Sequence, residues 1–118
     1  MISKESNSFY NRVLLPEYVN DHLTWENLQK FKSGEMKELN FSLLPENEIV
    51  SINRNEKYVV DSHDTKHPYD KLILATGTRA HLPLDAPVHL DNVMTMRTRQ
   101  DADQLKKYVK PHAHVVII

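Results

Sequence analysis

The chain has 118 residues, which is enough for one small domain with a single core. Its 15 basic and 16 acidic residues leave a net charge of −1, which argues against nucleic-acid binding through bulk charge, and the absence of cysteine excludes disulfides, redox dithiols and thiolate metal ligands within it. No apolar run is long enough to span a membrane and the first residues are not typical of a signal peptide, so we expect a cytoplasmic protein without a membrane partner.

Short helices are expected in the first forty residues. Pro16 is suited to the first turn of one helix, and Thr24 is a candidate N-cap for a second. A further helical turn is predicted over Glu35–Leu39, with Asn40 at a position where a left-handed residue often ends a helix. The second helix would bury a stripe formed by Trp25, Leu28 and Phe31.

The hydrophobic period changes to two after Glu48. Apolar residues at 49–52 and 58–60 flank a polar turn, which predicts a β-hairpin. A second polar turn leads into Tyr69–Leu74, whose apolar centre is typical of a strand buried on both faces. The small residues Ala75, Thr76 and Gly77 follow, and Gly77 lies where a sharp turn would strain another residue type. The sequence therefore predicts a three-stranded antiparallel meander.

The last third of the chain predicts a longer helix and a final strand. Thr98 can cap the helix with Asp101 at the third helical position, and Pro111 would stop it. His114–Ile118 has the composition of a buried strand. The fold class is α/β. The residues expected to face inward from the helix are Ala102, Leu105 and Val109.

Four sequence blocks occur in an order and at separations typical of one enzyme family. They are Phe-Tyr-Asn-Arg-Val-Leu-Leu at 9–15, Ile-Asn-Arg-Asn-Glu-Lys at 52–57, Tyr-Asp-Lys-Leu-Ile-Leu-Ala-Thr-Gly at 69–77 and Met-Arg-Thr-Arg-Gln-Asp-Ala-Asp at 96–103. Together they resemble the flavin-dependent pyridine-nucleotide oxidoreductases. The branch they resemble most is the large subunit of assimilatory NAD(P)H nitrite reductase, with rubredoxin and ferredoxin reductases as the alternative within the family.

This resemblance implies a partial FAD/NAD(P)-binding, Rossmann-like fold with flanking helices. Residues 1–83 would belong to an FAD-binding domain that includes the meander at 48–77, and residues 84–118 would form the crossover and the start of an NAD(P)-binding domain. The implied activity is electron transfer from NAD(P)H through FAD to an acceptor. The protein would position the cofactors, and no residue here is a candidate catalytic acid or base.

The glycine-rich loops that bind the pyrophosphates of the two dinucleotides would lie on either side of this segment. The chain has only two glycines, so we expect it not to retain FAD and to be inactive by itself. The alternative from another class is a non-catalytic, truncated module that forms a homo-oligomer by pairing its terminal strands with those of a second copy.

The resemblance assigns FAD-binding roles to several residues. Glu5 corresponds to the acidic residue that accepts hydrogen bonds from the adenosine ribose hydroxyls, and Arg12 to an arginine against the flavin and its phosphates. Ile49 corresponds to the residue whose backbone meets the adenine. From the sequence alone, Glu5 could equally be a surface carboxylate, Arg12 a surface arginine at a helix entry, and Ile49 plain hairpin core.

The remaining assigned residues follow the third predicted strand. Ala75, Thr76 and Gly77 correspond to a turn on the pyrophosphate side of the FAD pocket, where larger side chains would collide with the cofactor. Arg79 corresponds to a residue near the cofactor or the seam between the domains, and Arg97 is a weaker candidate.

A metal site is not expected. His63 and His67 are four residues apart, as in helical metal pairs, but they lie in a predicted turn and no third ligand is placed by the pattern. A Ser-His-Asp catalytic arrangement is equally unsupported, because the chain has no nucleophile turn flanked by glycines.

Overall fold

The computed structural model describes residues 1–6, 9–31, 34–87 and 89–118. A 3₁₀ turn at Arg12–Leu14 precedes three short helices, and three strands and a longer helix follow. The elements are α1 (Leu15–Val19), α2 (Trp25–Leu28), α3 (Glu35–Glu38), β1 (Ile49–Asn53), β2 (Tyr58–Asp61), β3 (Lys66–Pro68) and α4 (Arg99–Tyr108). No helix within the described ranges has the length and apolarity needed to cross a membrane.

The chain divides into two compact units. The sheet unit comprises Met1–Tyr10 and Lys30–Gly77, and the helix unit comprises Asn11–Gln29 and Thr78–Ile118.

In the sheet unit, the strands form an antiparallel sheet in the order β1-β2-β3. Val59 lies at the centre, opposite Ile52 on one side and His67 on the other, and is 5 % exposed. The N-terminal segment is tied to this unit by a parallel bridge between Ile2 and Leu44. The predicted three-stranded antiparallel sheet is confirmed.

The position of the third strand was predicted wrongly. The strand lies at Lys66–Pro68 instead of Tyr69–Leu74. Directly after it, the Tyr69 N–H donates a hydrogen bond to the Lys57 carbonyl at 2.9 Å. The apolar residues that follow are assigned to no strand, and Ile73 is 88 % exposed. A strand requires a partner for its N–H and C=O groups, and no described strand pairs with residues 72–74.

The helix unit has a small core beneath α4. Leu15, Leu28 and Ala102 are buried there, and the rings of Tyr18 and Trp25 meet edge to face at 5.9 Å. The predicted cap of α4 is present. The Thr98 hydroxyl accepts the Asp101 N–H at 3.2 Å, and the Asp101 carboxylate accepts the Thr98 N–H at 2.8 Å.

Three expectations about this part of the chain are wrong. The second helix ends at Leu28, so Phe31 does not continue its stripe and instead meets Phe9 within the sheet unit at 5.5 Å. Val109, expected to face inward, is the C-cap residue of α4 and is exposed. His114–Ile118 is not a strand, because no described strand lies beside it to accept and donate backbone hydrogen bonds.

Candidate functional site

Glu5 is the predicted site residue with the most defined surroundings. It follows the segment that bridges Leu44, and its carbonyl accepts the Glu46 N–H at 3.4 Å. The side chain is half-buried, and its Oε2 accepts a hydrogen bond from the Tyr10 hydroxyl at 2.9 Å. The carboxylate therefore has a fixed partner in the fold.

Ile49 begins β1 in the same unit, half-buried and opposite Asp61. Lys4, which precedes Glu5, forms an ion pair of 2.8 Å with Glu48, which precedes Ile49. This pair holds the N-terminal segment beside the start of β1. The structure thus brings the backbone of Ile49 and the segment that carries Glu5 to the same edge of the sheet unit.

Ala75, Thr76 and Gly77 also belong to the sheet unit, and all three are exposed. Gly77 has a φ of +67°, a left-handed conformation that residues with a Cβ rarely adopt. The positive φ expected at Gly77 is therefore present, but residues 75–79 are assigned neither a turn nor a bend, so the predicted sharp turn is not. The exposed small residues before it leave the backbone open to a flat ligand, although the strand predicted to precede them is missing.

The arginines lie in the helix unit. The Arg12 guanidinium donates a hydrogen bond to the Arg97 carbonyl at 2.9 Å, and the Arg97 N–H in turn reaches the Asp101 carboxylate at 2.8 Å. Arg12 is consequently held against the start of α4, next to the weaker candidate Arg97. Arg79 is exposed.

Two clefts formed by described residues do not coincide with these predicted site residues. A cleft of about 290 Å³ lies in the helix unit between the 90–95 segment and α4, and none of the seven predicted residues lines it. Its polar wall includes Asp101, whose carboxylate is already used by the helix cap.

The sequence matches one family along its whole length. A model of the family described as pyridine nucleotide-disulphide oxidoreductase covers residues 1–118. The chain belongs to this family.

Curated relatives of this chain are themselves named as reductases. The "Nitric oxide reductase FlRd-NAD(+) reductase" of Salmonella gallinarum is 28% identical over 119 residues, which are 100% of this chain and 31% of that protein. The chain spans about a third of the length of such curated relatives.

Solved structures of reductases have a fold similar to that of this chain. The NADH:rubredoxin oxidoreductase of Clostridium acetobutylicum superposes with a TM-score of 0.81 at 26% identity, over 91% of this chain and 28% of that one. The reductase complex with putidaredoxin gives a TM-score of 0.80 at 25% identity, over 90% of this chain and 26% of that one. These matches confirm the predicted partial Rossmann-like fold. None of the proteins named here is a nitrite reductase.

FAD is the cofactor that the resemblance implies for this oxidoreductase segment. Residues of the sheet unit suit some of its chemical groups but not all. Glu5 offers a half-buried carboxylate suited to vicinal hydroxyl donors, and the exposed residues 75–77 present backbone without large side chains. The pyrophosphate lacks an equivalent partner here. The chain has two glycines, and the other one, Gly34, precedes a helix of only four residues.

Sequence reasoning missed the most polar buried cluster of the sheet unit. Asp61 is 2 % exposed, and its Oδ1 accepts the N–H groups of His63 and Thr65, each at 2.9 Å. Its Oδ2 accepts a hydrogen bond from Nε2 of His67 at 2.8 Å. The spacing of His63 and His67 resembles that of a metal pair, whereas the useful signal is an aspartate two and four residues before the two N–H donors of a turn. Within the described ranges, no group of three potential ligands is placed to hold a metal ion.

The hydrogen bond from His67, aided by the Thr65 and His63 N–H groups, lowers the pKa of Asp61 from 3.8 to about 2, although burial acts in the opposite direction. This cluster closes the turn between β2 and β3. The hydrogen bonds of the Asp61 carboxylate tie β2 to the turn and to β3, and Asp61 lies opposite the predicted site residue Ile49 in the pairing of β1 with β2.

Proposed function

We propose that this chain contributes the FAD-holding part of an oxidoreductase that passes electrons from NAD(P)H through FAD to a small redox protein. The observation that carries the proposal is the match of the whole chain to reductases whose named partners are rubredoxin and putidaredoxin. Residues 1–83 would belong to the FAD-binding domain, and residues 84–118 to the crossover and the start of the NAD(P)-binding domain.

The proposed roles are binding and orientation. Glu5 accepts hydrogen bonds from the adenosine ribose, the backbone of Ile49 meets the adenine, and Ala75, Thr76 and Gly77 leave room for the pyrophosphate. When bound, FAD supplies the electron-transfer chemistry.

The two arginines supply positive charge. Arg12 stabilises the flavin phosphates, which suits a guanidinium because it forms fixed, forked hydrogen bonds to anions. Arg79 is proposed to lie near the cofactor or the seam between the domains.

The nitrite-reductase branch is the finer hypothesis, and it rests on the sequence blocks alone. The named relatives favour the rubredoxin or ferredoxin reductase alternative. The two hypotheses predict different acceptors, since a nitrite reductase passes its electrons on to nitrite rather than to a separate small redox protein.

A chimera tests the proposal. Residues 1–118 would replace the matching 28% of the Clostridium acetobutylicum NADH:rubredoxin oxidoreductase, which provides the rest of the fold. We expect the chimera to carry FAD and to reduce rubredoxin with NADH, and the isolated chain to purify without colour. A folded chimera without flavin absorbance would contradict the proposal.

A matched pair of variants tests the role of Gly77 within the same chimera. Gly77→Leu should lose most of its FAD, because leucine is strained at the positive φ and fills the space proposed for the cofactor. Gly34→Leu is the control, since Gly34 also has a positive φ but lies outside the proposed site. Equal flavin content in the two variants would show that Gly77 is not part of the FAD site.

A further inference from the structure

We propose that Tyr10 is a positioning residue that orients the Glu5 carboxylate toward the adenosine ribose. This inference rests on the proposed function, because it assumes that Glu5 meets the ribose. It adds a role for a residue that neither the resemblance nor the comparisons assign. The observation behind it is the hydrogen bond of 2.9 Å from the Tyr10 hydroxyl to Glu5 Oε2.

The chemistry of this bond makes its direction certain. A carboxylate only accepts hydrogen bonds, so the phenol donates its single O–H to Glu5. Bonds to an ionised acceptor are shorter and stronger than neutral ones. The bond is also partly buried, so water competes for it less than at an exposed site.

The Glu5 end of this bond is anchored by backbone contacts. The Glu5 N–H donates to the Ser3 hydroxyl at 3.3 Å, and the Glu5 carbonyl accepts from Glu46 at 3.4 Å. The neighbouring Lys4 pairs with Glu48 at 2.8 Å. The main chain of Glu5 is therefore fixed, and the side-chain torsions are what Tyr10 restricts.

The main chain at the Tyr10 end is anchored through the preceding residue, Phe9. The preceding ring, Phe9, lies 5.5 Å from Phe31 and 5.6 Å from Phe41, centroid to centroid. The Phe9 carbonyl also accepts the Lys30 N–H at 2.9 Å. With the main chain beside Tyr10 held in this way, the hydrogen bond from its phenol gives the Glu5 carboxylate a defined orientation before ligand arrives. Such preorganisation reduces the conformational entropy lost on binding.

Tyr10 occupies one of the roughly four acceptor positions of a carboxylate, so a carboxylate of this kind can also accept from ribose hydroxyls. If Tyr10 orients those positions, its removal should weaken recognition of the hydroxyls specifically. A purely structural role would instead weaken the binding of any adenine nucleotide to the same extent.

The experiment titrates the 118-residue protein with AMP and with 2′,3′-dideoxy-AMP, followed by chemical shift changes in NMR spectra. Wild type should prefer AMP by about tenfold or more, tenfold being the lower limit for a single hydrogen bond to a charged group. Tyr10→Phe should reduce this preference to about threefold or less while leaving the affinity for the dideoxy nucleotide unchanged. Glu5→Gln should reduce it similarly, and Tyr10→Phe should have no further effect in that background.

Tyr18→Phe is the matched control. This variant also removes a tyrosine hydroxyl that donates a hydrogen bond to a carboxylate, because the Tyr18 hydroxyl donates to Asp103 at 2.6 Å. Both residues lie in the helix unit, whereas Glu5 and Tyr10 lie in the sheet unit. This variant should keep the wild-type preference for AMP.

The outcomes separate the two proposals. A wild-type protein that shows no preference for AMP, or no binding, contradicts the role of Glu5 in the proposed function and this inference with it. A wild-type preference that survives in Tyr10→Phe overturns the inference alone. Equal weakening of both nucleotides by Tyr10→Phe also overturns it, because the residue would then act only through the fold.

Discussion

At the scale of single residues, Asp61 shows how one buried carboxylate stabilises a turn. The hydrogen bonds from His67, Thr65 and His63 favour its ionised form in the folded protein and lower its pKa to about 2. The unfolded chain has no such partners, so its value there is 3.8. The ionised carboxylate therefore stabilises the fold fully above pH 4 or so.

We expect this stabilisation to be lost as the pH falls from about 4 to about 2, because the unfolded state takes up the proton first. Urea unfolding of wild type and Asp61→Asn across this range measures it. The variant should be less stable than wild type at pH 6, and the difference between the two should shrink toward pH 2.

Asp64→Asn is the control for this prediction. Asp64 lies three residues on in the same turn, is exposed, and has a positive φ that asparagine tolerates. The free energy of unfolding of Asp64→Asn should match that of wild type at every pH in this range. A difference between wild type and Asp61→Asn that stays constant with pH would contradict the assignment.

At the scale of elements, the sheet predicts which positions tolerate proline. Val59 lies in the central strand and is 5 % exposed, so proline there deletes a ladder hydrogen bond and disrupts packing on both sides. We expect Val59→Pro to lower the free energy of unfolding by more than about 3 kcal/mol. Thermal melts followed by circular dichroism measure the effect.

Ile73→Pro should be far milder, although the sequence pattern alone predicts that it lies in a strand. Its side chain is 88 % exposed, and residue 73 is assigned to no strand. Asn55→Pro, in the turn between β1 and β2, provides a second reference. Melting temperatures for Ile73→Pro as low as those for Val59→Pro would show that residues 72–74 pair with another strand in solution.

The contrast between these elements explains what the sequence could predict. The hairpin, the start of α2 at Trp25 and the cap of α4 depend on residues close together in the chain, and local patterns identified each of them. Strands at Tyr69–Leu74 and His114–Ile118 would depend on distant partners, which a local pattern does not contain. An apolar run indicates a tendency to be buried, and the available neighbours decide whether a strand forms.

The same reasoning applies to the site. The glycine after two small residues predicted the positive φ of Gly77, whereas the sharp turn expected there is not formed. The resemblance named Glu5 but not its partner Tyr10, because a hydrogen bond between side chains five residues apart has no periodic signature. The roles of the seven residues in FAD binding remain predictions for the experiments above.

At the scale of the whole molecule, the exposed apolar residues at 115–118 are the most conspicuous surface. Val116 is 86 % and Ile117 92 % exposed, and neither belongs to a helix or strand. Burying a valine or isoleucine side chain contributes about 1.5–3 kcal/mol. β-branched residues also favour strand pairing. We therefore expect the chain to self-associate through this segment with a second copy of itself.

Size-exclusion chromatography with light scattering tests this prediction. The variant Val116→Lys with Ile118→Lys keeps the length and places two charges on the segment, which disfavours the pairing of edges. It should be monomeric at concentrations where the parent chain forms dimers or larger species. Val13→Lys with Leu84→Lys is the control, because these residues are also highly exposed and the change in charge is the same. A monomeric parent chain, or an association that the first variant retains, would show that residues 115–118 do not mediate contact between copies.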